Sequence, residues 1–327
     1  MLASGARSAL AGYDPAPMPQ LLVEDAVKAY DGKVAVDHVS FEVQGGEVFG
    51  LLGPNGAGKS TLIRMTMDIL RPDSGRIVLD GRPSTDADHD RIGYLPEERG
   101  LYRKYKVLDV LDYFGRLKGM KGPAVKKKAQ AALDEVGLGE WAKKRVDALS
   151  KGMQQKVQIV GTLLHDPDIV ILDEPFSGLD PINTRMVKDL MARLKRQGKL
   201  VVLSTHQMDQ VEELCDRIVM IDRGKRVLYG TVREIKRRYA PELRKASGRG
   251  NVVVVDGEGD FTKVEGVLDA RPSGPATALT LAPELTPEAF LSRAIAAGIS
   301  ISHFEASPTP LEEIFVHVAM SPAGAAS

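Results

Sequence analysis

The run LLGPNGAGKSTL, residues 51–62, constrains this chain more than any other feature. Counting Gly50 it carries four glycines beside Lys59, Ser60 and Thr61, at the point where an apolar strand, Val48 to Leu52, is expected to pass into a helix. Each glycine weakens regular structure by roughly 0.5–1 kcal/mol relative to alanine, so a chain holds them where bare backbone is needed. Gly53, Pro54, Asn55, Gly56, Ala57, Gly58, Lys59 and Ser60 match G-x-x-x-x-G-K-[ST], after a strand and before a helix. That setting converges successive N–H groups on phosphate oxygens, with a helix N-terminus adding a favourable dipole. Lys59 would then reach the β- and γ-phosphates of a nucleotide, Ser60 would ligate Mg2+, and Thr61 would assist at the α- and β-phosphates. A glycine-rich turn with a chance lysine is the bland alternative.

A nucleotide hydrolase needs further parts. One is a carboxylate for Mg2+ at the end of a buried strand, and IVILDEP supplies Asp173 after a run of aliphatic residues. The adjacent Glu174 is placed to act as general base, a role typically worth about 10²–10⁴ in rate. An Asp-Glu pair can also be an ordinary strand-end turn before Pro175, a reading that weakens in a chain already carrying a phosphate loop. In LSKGMQQK, residues 149–156, Ser150 can open a helix with Gly152 in its first turn, which makes a second anion site. One ATP cannot easily use two helix N-termini of one domain, so a facing dimer is expected, each second site closing over the other subunit's ATP.

The bulk properties permit this. With 327 residues, 43% hydrophobic and 27% charged, the chain is long enough for a large domain and a small one. A formal net charge of +0 implies no bulk attraction to nucleic acid or acidic lipid, and no nucleic-acid partner is expected. The single cysteine, Cys215, excludes an intramolecular disulfide framework and fits a reducing compartment. No apolar run nears the ~18 residues of a membrane span, and residues 1–19 read as a flexible leader without a secretory signal's apolar core. The expectation is a soluble cytoplasmic protein.

From residue 21 to 52 apolar and polar residues alternate, with turns at Asp31-Gly32 and Gly45-Gly46, as in antiparallel strands leading to a buried one. Residues 104–147 read as a helical, basic region in which Lys126, Lys127 and Lys128 form a solvated face. DIVILDEP and KLVVLSTH read as buried parallel strands. Between them lies a helix with Met186, Val187, Leu190, Met191 and Leu194 on one face and Gly198 as its C-cap. The fold class is therefore α/β: a P-loop NTPase parallel sheet with an antiparallel β subdomain and a helical subdomain, plus a small C-terminal α+β domain. The boundaries are 20–235 for the ATP-binding domain, 240–320 for the accessory domain, and 321–327 for a frayed tail. The accessory domain reads as strand, strand, helix, strand, helix, with Thr309 capping the last helix and Pro310 at its first position.

In order and type these motifs resemble the ATP-binding subunits of ABC transporters over residues 20–230. The resemblance makes Tyr30 the aromatic that stacks on adenine, Gly53 to Thr61 the Walker A loop and Ile169 to Glu174 the Walker B strand. LSKGM matches the signature usually written LSGGQ, with Ser150 and Gly152 acting on the partner subunit's ATP. Ser177, Gly178, Leu179 and Asp180 match the D-loop between subunits, and His206 the switch histidine that senses the γ-phosphate. It implies ATP and Mg2+ as ligands, a second ATP-binding subunit (read as a homodimer), an integral membrane permease, and a peripheral place on the inner face of the cell membrane. Glu97 stands where the family's Q-loop has glutamine; a carboxylate can ligate Mg2+ but cannot donate a hydrogen bond. In the signature, Lys151 and Met153 replace a glycine and the glutamine, with Gln154 next in line. The tail, DRGKRVLYGTVREIKRRY through PLEEIFVHV, resembles ATPases of bacterial sodium- and drug-extruding exporters and leans the reading toward export. The competing readings are a non-transport ATPase of the same fold acting as a nucleotide-dependent switch, an ATP-holding module without turnover, and a small-molecule kinase. The kinase leaves the signature and D-loop unexplained.

Overall fold

The computed structural model describes residues 18–98, 100–247, 252–273, 276–307 and 309–320; most of the expected leader and the whole expected tail, residues 321–327, lie outside them. The described residues fall into two compact units, one within Met1–Leu51, Asn55–Thr205 and Arg223–Lys225, the other within Leu52–Pro54, His206–Asp222 and Arg226–Ser327.

In the first unit, β1 (Gln20–Tyr30) and β2 (Lys33–Gln44) pair antiparallel around Asp31-Gly32, both at positive φ, as the turn of a two-residue hairpin requires. Lys28 pairs with Val36 and Ala29 with Val34, so Ala35 is an unpaired bulge. After β3 (Val48–Leu52) and α1 (Lys59–Thr66), β4 (Ser74–Leu79) and β5 (Arg82–Pro83) complete an antiparallel sheet ordered β2-β1-β4-β5.

β6 (Ile92–Leu95) leads to three helices, α2 (Val107–Leu117), α3 (Ala124–Glu135) and α4 (Lys151–Leu163). Their apolar residues recur at helical spacing (Val107, Val110 and Leu111; Val125, Ala129 and Leu133; Val157 and Val160) and share one core. The expected helical region is thus present, with Lys126, Lys127 and Lys128 exposed. β7 (Ile169–Asp173), α5 (Pro181–Arg196) and β8 (Leu200–Thr205) form a strand–helix–strand unit. β6, β7 and β8 run parallel, and the sheet order within this unit is β3-β8-β7-β6. Every residue of β3, β7 and β8 is buried, which is why these strands read as continuous apolar runs. In α5, Val187, Leu190, Met191 and Leu194 are buried and Met186 half-buried, and Gly198 at φ +75° closes the helix, with the Lys199 N–H bonded to the Leu194 carbonyl.

The second unit contains α6 (Met208–Leu214), the neighbouring strands β9 (Arg217–Asp222) and β10 (Lys225–Thr231), and α7 (Val232–Ser247). Then follow β11 (Val252–Glu258), β12 (Val267–Ser273), β13 (Ala276–Leu281), α8 (Pro287–Ala296), β14 (Ser300–Ser307) and α9 (Leu311–Met320). The last four strands form an antiparallel sheet ordered β12-β13-β11-β14 over a core that includes Val253, Val255, Leu279, Leu281 and Phe290. β12 is additional to the expected sequence of elements. The start of α9 also differs by one residue: Glu313 and Ile314 donate to the Pro310 carbonyl, so Pro310 is the cap and Leu311 the first helical residue. The Leu311 N–H is taken by the Glu212 carboxylate of α6, which also pairs with Lys236 of α7. Among the described residues no helix is long and apolar enough to cross a membrane.

Candidate active site

The glycine-rich loop owes its shape to two left-handed positions. Gly56 has φ +78° and open space where a side chain would stand. Gly58, the N-cap of α1, has φ +113°, and a Cβ there would lie 2.5 Å from the Ala35 carbonyl oxygen of the β2 bulge. The backbone therefore runs closer to β2 than any side chain permits. Asn55 and Gly56 are exposed, as is Ser60 in the first turn of α1, so the loop opens a cradle of N–H groups to an incoming anion.

Lys59 is buried at 7% exposure. Its burial lowers the ammonium pKa, against the raising influence of Glu174, Asp173 and Glu97 in that order. A buried cation within electrostatic reach of three carboxylates is a combination of charges suited to a polyanion bound with a divalent metal. Asp173 ends β7 beside its register partner Ser204 on β8. Burial raises its pKa, opposed by the Ser204 hydroxyl, by Tyr94 and by Lys59. The Tyr94 phenol at the end of β6 donates to Asp173 Oδ2 at 3.4 Å, and burial followed by the Asp173 charge pushes that phenol up to about 12.

Glu174 is buried at 7% exposure, with its backbone left-handed at φ +46°. Its N–H donates to the Ser204 carbonyl at 2.8 Å, its carbonyl accepts from the Ser177 N–H at 3.1 Å, and the Thr205 hydroxyl donates to its Oε2 at 3.0 Å. Asp173, Glu174, Glu97, Gln155, Gln158 and Ser177 line one recess of about 220 Å³. Oxygen-rich and within electrostatic reach of Lys59, this donor set fits a hexacoordinate Mg2+ that would keep several of its waters.

Ser150 caps α4, its Oγ accepting from the Met153 N–H at 3.3 Å. A Cβ on Gly152 would lie 2.9 Å from Asn183 Nδ2, and Asn183 is in turn held by Asp180, the N-cap of α5. Gly178 is left-handed at φ +68°. Tyr30 stands 41% exposed at the end of β1, one ring face 6.0 Å from Lys28 Nζ. Gly53, Pro54 and His206 belong to the second unit, His206 being the residue after the end of β8.

A family model described as ABC transporter matches residues 36–177, and one described as ATP-binding protein DrrA1-3-like, C-terminal domain, matches residues 230–319. An uncharacterized ABC transporter ATP-binding protein of Methanocaldococcus jannaschii is 46% identical over 222 residues, 68% of this chain and 81% of that one. This chain belongs to the ABC transporter ATP-binding proteins. The linearmycin resistance ATP-binding protein of Bacillus subtilis is 38% identical over 214 residues, 64% of this chain and 69% of that one. A solved structure of an ATP binding subunit of an ABC transporter superposes with a TM-score of 0.62 at 31% identity, covering 67% of this chain and 93% of that one.

Two features of this ABC ATP-binding protein lie beyond the motifs. Gln154, next to the position of the missing signature glutamine, donates its amide to the Leu149 carbonyl at 2.9 Å. Gln155 and Gln158, which carry no motif of their own, are the α4 amides that reach the carboxylate recess. Only their burial, 7% and 8% exposed, sets them apart from an ordinary polar helix face.

Proposed function

We propose that this subunit dimerises around two Mg-ATP and hydrolyses them to drive a separate membrane-spanning permease, in the direction of export. The reading rests above all on the convergence of the buried Lys59 with Asp173, Glu174 and Glu97 beside a loop whose backbone excludes a side chain at position 58. Residues 20–235 act as the ATPase and 240–320 as the accessory domain. Gly53 to Thr61 hold the phosphates and Tyr30 stacks the base. Ser60 and Asp173, with Glu97, hold Mg2+, which when bound neutralises phosphate charge and orients the leaving group. Glu174 takes a proton from water as the water oxygen bonds to the γ-phosphorus and the bond to the β-phosphate oxygen breaks, giving ADP and phosphate. His206, and Ser150 and Gly152 of the partner subunit, contact the γ-phosphate. Ser177, Gly178, Leu179 and Asp180 form the subunit junction.

The permease would dock on the segment from Glu97 to Tyr105 and the helices after it. Supporting this, Tyr102, Tyr105 and Tyr113 are exposed around a recess of about 410 Å³, the Tyr102 ring edge-on to the other two at 6.1 and 5.6 Å. Exposed tyrosines of this kind are favoured anchors at protein interfaces. The exporter reading leans on the C-terminal domain match and on a relative named for resistance to linearmycin.

The test uses Glu174→Gln, tagged and expressed in its native host, with membranes gently solubilised in Mg-ATP. ATP binding should persist with hydrolysis reduced at least 10²-fold, and a multi-spanning protein should co-purify in stoichiometric amount. A purely soluble dimer, or a ribosome or DNA complex, would leave the ATPase chemistry and remove the transport reading.

A further inference from the structure

Helix α4 carries at one end Ser150 and Gly152, the residues read as meeting the partner's ATP, and one turn further on Gln155. Five residues of helix span about 7.5 Å. The Gln155 side chain is buried and its Nε2 donates to the Pro175 carbonyl at 2.6 Å. A carbonyl can only accept, so the amide nitrogen must face Pro175 and Oε1 must face away. Oε1 is buried and has no hydrogen-bond partner among the described residues, an expensive state for an acceptor. The bond to Pro175 thus holds Gln155 in this orientation.

Pro175 follows Glu174, whose left-handed backbone persists only if its surroundings over-determine it. Two of the bonds that do so, from the Glu174 N–H to Ser204 and from Thr205 to Oε2, come from β8; a third, from Ser177, is internal to the turn. From the helical side, the Gln155 amide holds the carbonyl of Pro175, the next residue. One turn along, Gln158 Nε2 donates to the Glu98 carbonyl at 3.4 Å, so the same helix face also touches the segment bearing Glu97.

We propose that Gln155 is a positioning residue for ATP hydrolysis: its amide N–H holds the Pro175 carbonyl, and through it helix α4 sets where the Glu174 carboxylate stands. The inference rests on the reading of Glu174 as the base. A shift of α4 on meeting the partner's nucleotide is passed to the base across one hydrogen bond.

The experiment compares Gln155→Met and Gln155→Ala, neither able to donate a hydrogen bond, in the full chain. Each should lower kcat 10- to 100-fold, with KM for ATP and the Kd of a fluorescent ATP analogue within twofold of the parent. In the Glu174→Gln background, adding Gln155→Met should change the residual rate less than twofold, since a residue acting through Glu174 has nothing left to position. Should Gln155→Met fail to fold, Gln155→Ala, which brings no new bulk or charge, carries both comparisons. A kcat within twofold of the parent, a rise in KM at constant kcat, or an additive loss in the Glu174→Gln background would overturn the proposal. A parent protein without Mg-dependent hydrolysis, or a Glu174→Gln protein at full rate, sinks the reading of Glu174. A dead Glu174→Gln protein beside a fully active Gln155→Met protein sinks only the role of Gln155.

Discussion

Replacing Gly58 by alanine should cost more than replacing Gly56, and the structure says by how much. Both positions have positive φ, which charges an L-residue about 1–2 kcal/mol in the left-handed region. At Gly56 that strain is the whole cost, because nothing lies within 4 Å of the new methyl group. At Gly58 the methyl would stand 2.5 Å from the Ala35 carbonyl oxygen, about half an ångström inside the closest approach real Cβ atoms make. Backbone must move, either the loop or the β2 bulge, and overpacking of this kind costs about 1–3 kcal/mol. The two variants should therefore differ by about 1–3 kcal/mol. For a unit of roughly 200 residues that corresponds to a gap of about 2–12 °C in melting midpoint. Calorimetry of the nucleotide-free proteins, run side by side, avoids confusing stability with phosphate binding. Midpoints within 1 °C of each other would refute the close-approach reasoning.

Two further expectations follow from titratable groups. Burial raises the Asp88 pKa, but hydrogen bonds from Arg82 and Thr85 more than offset it and hold the carboxyl at about 2. Its pKa is lower folded than unfolded, so the stabilisation is complete above about pH 4 and disappears as pH falls toward 2. The melting advantage over Asp88→Asn should shrink across that interval, and a constant advantage would contradict the pairing. Cys215 is buried at 8% exposure, and burial, followed by the Asp216 charge, pushes its thiol far up. A disulfide-exchange reagent should find no thiol in the native protein and one per chain after denaturation; stoichiometric native reaction within minutes would contradict the burial.

Much of the fold was legible because its parallel strands are buried on both faces: IVILD and LVVLST carry no polar residue before their C-terminal ends, where the chemistry sits. Gly198 was legible because a helix C-terminus depends on local backbone chemistry alone. β12 was not. Its run VLDARPS contains Pro272, which normally demotes a strand, yet β12 lies at the edge of its sheet, where a missing N–H breaks no ladder. Gln155 was hidden for another reason: a polar residue on an amphipathic helix reads as solvated until packing covers it. The left-handed backbone at Glu174 had no signal either, because glutamate is not a residue that seeks that conformation.

That last point bears on how the protein can change over time. Position 174 sets the most useful side chain on a backbone that would be more comfortable with glycine or asparagine. If Glu174 is the base, stability and catalysis pull this position in opposite directions. Selection for thermal robustness alone would then drift toward asparagine or glycine there, returning a sturdier chain that holds its nucleotide and does not turn it over.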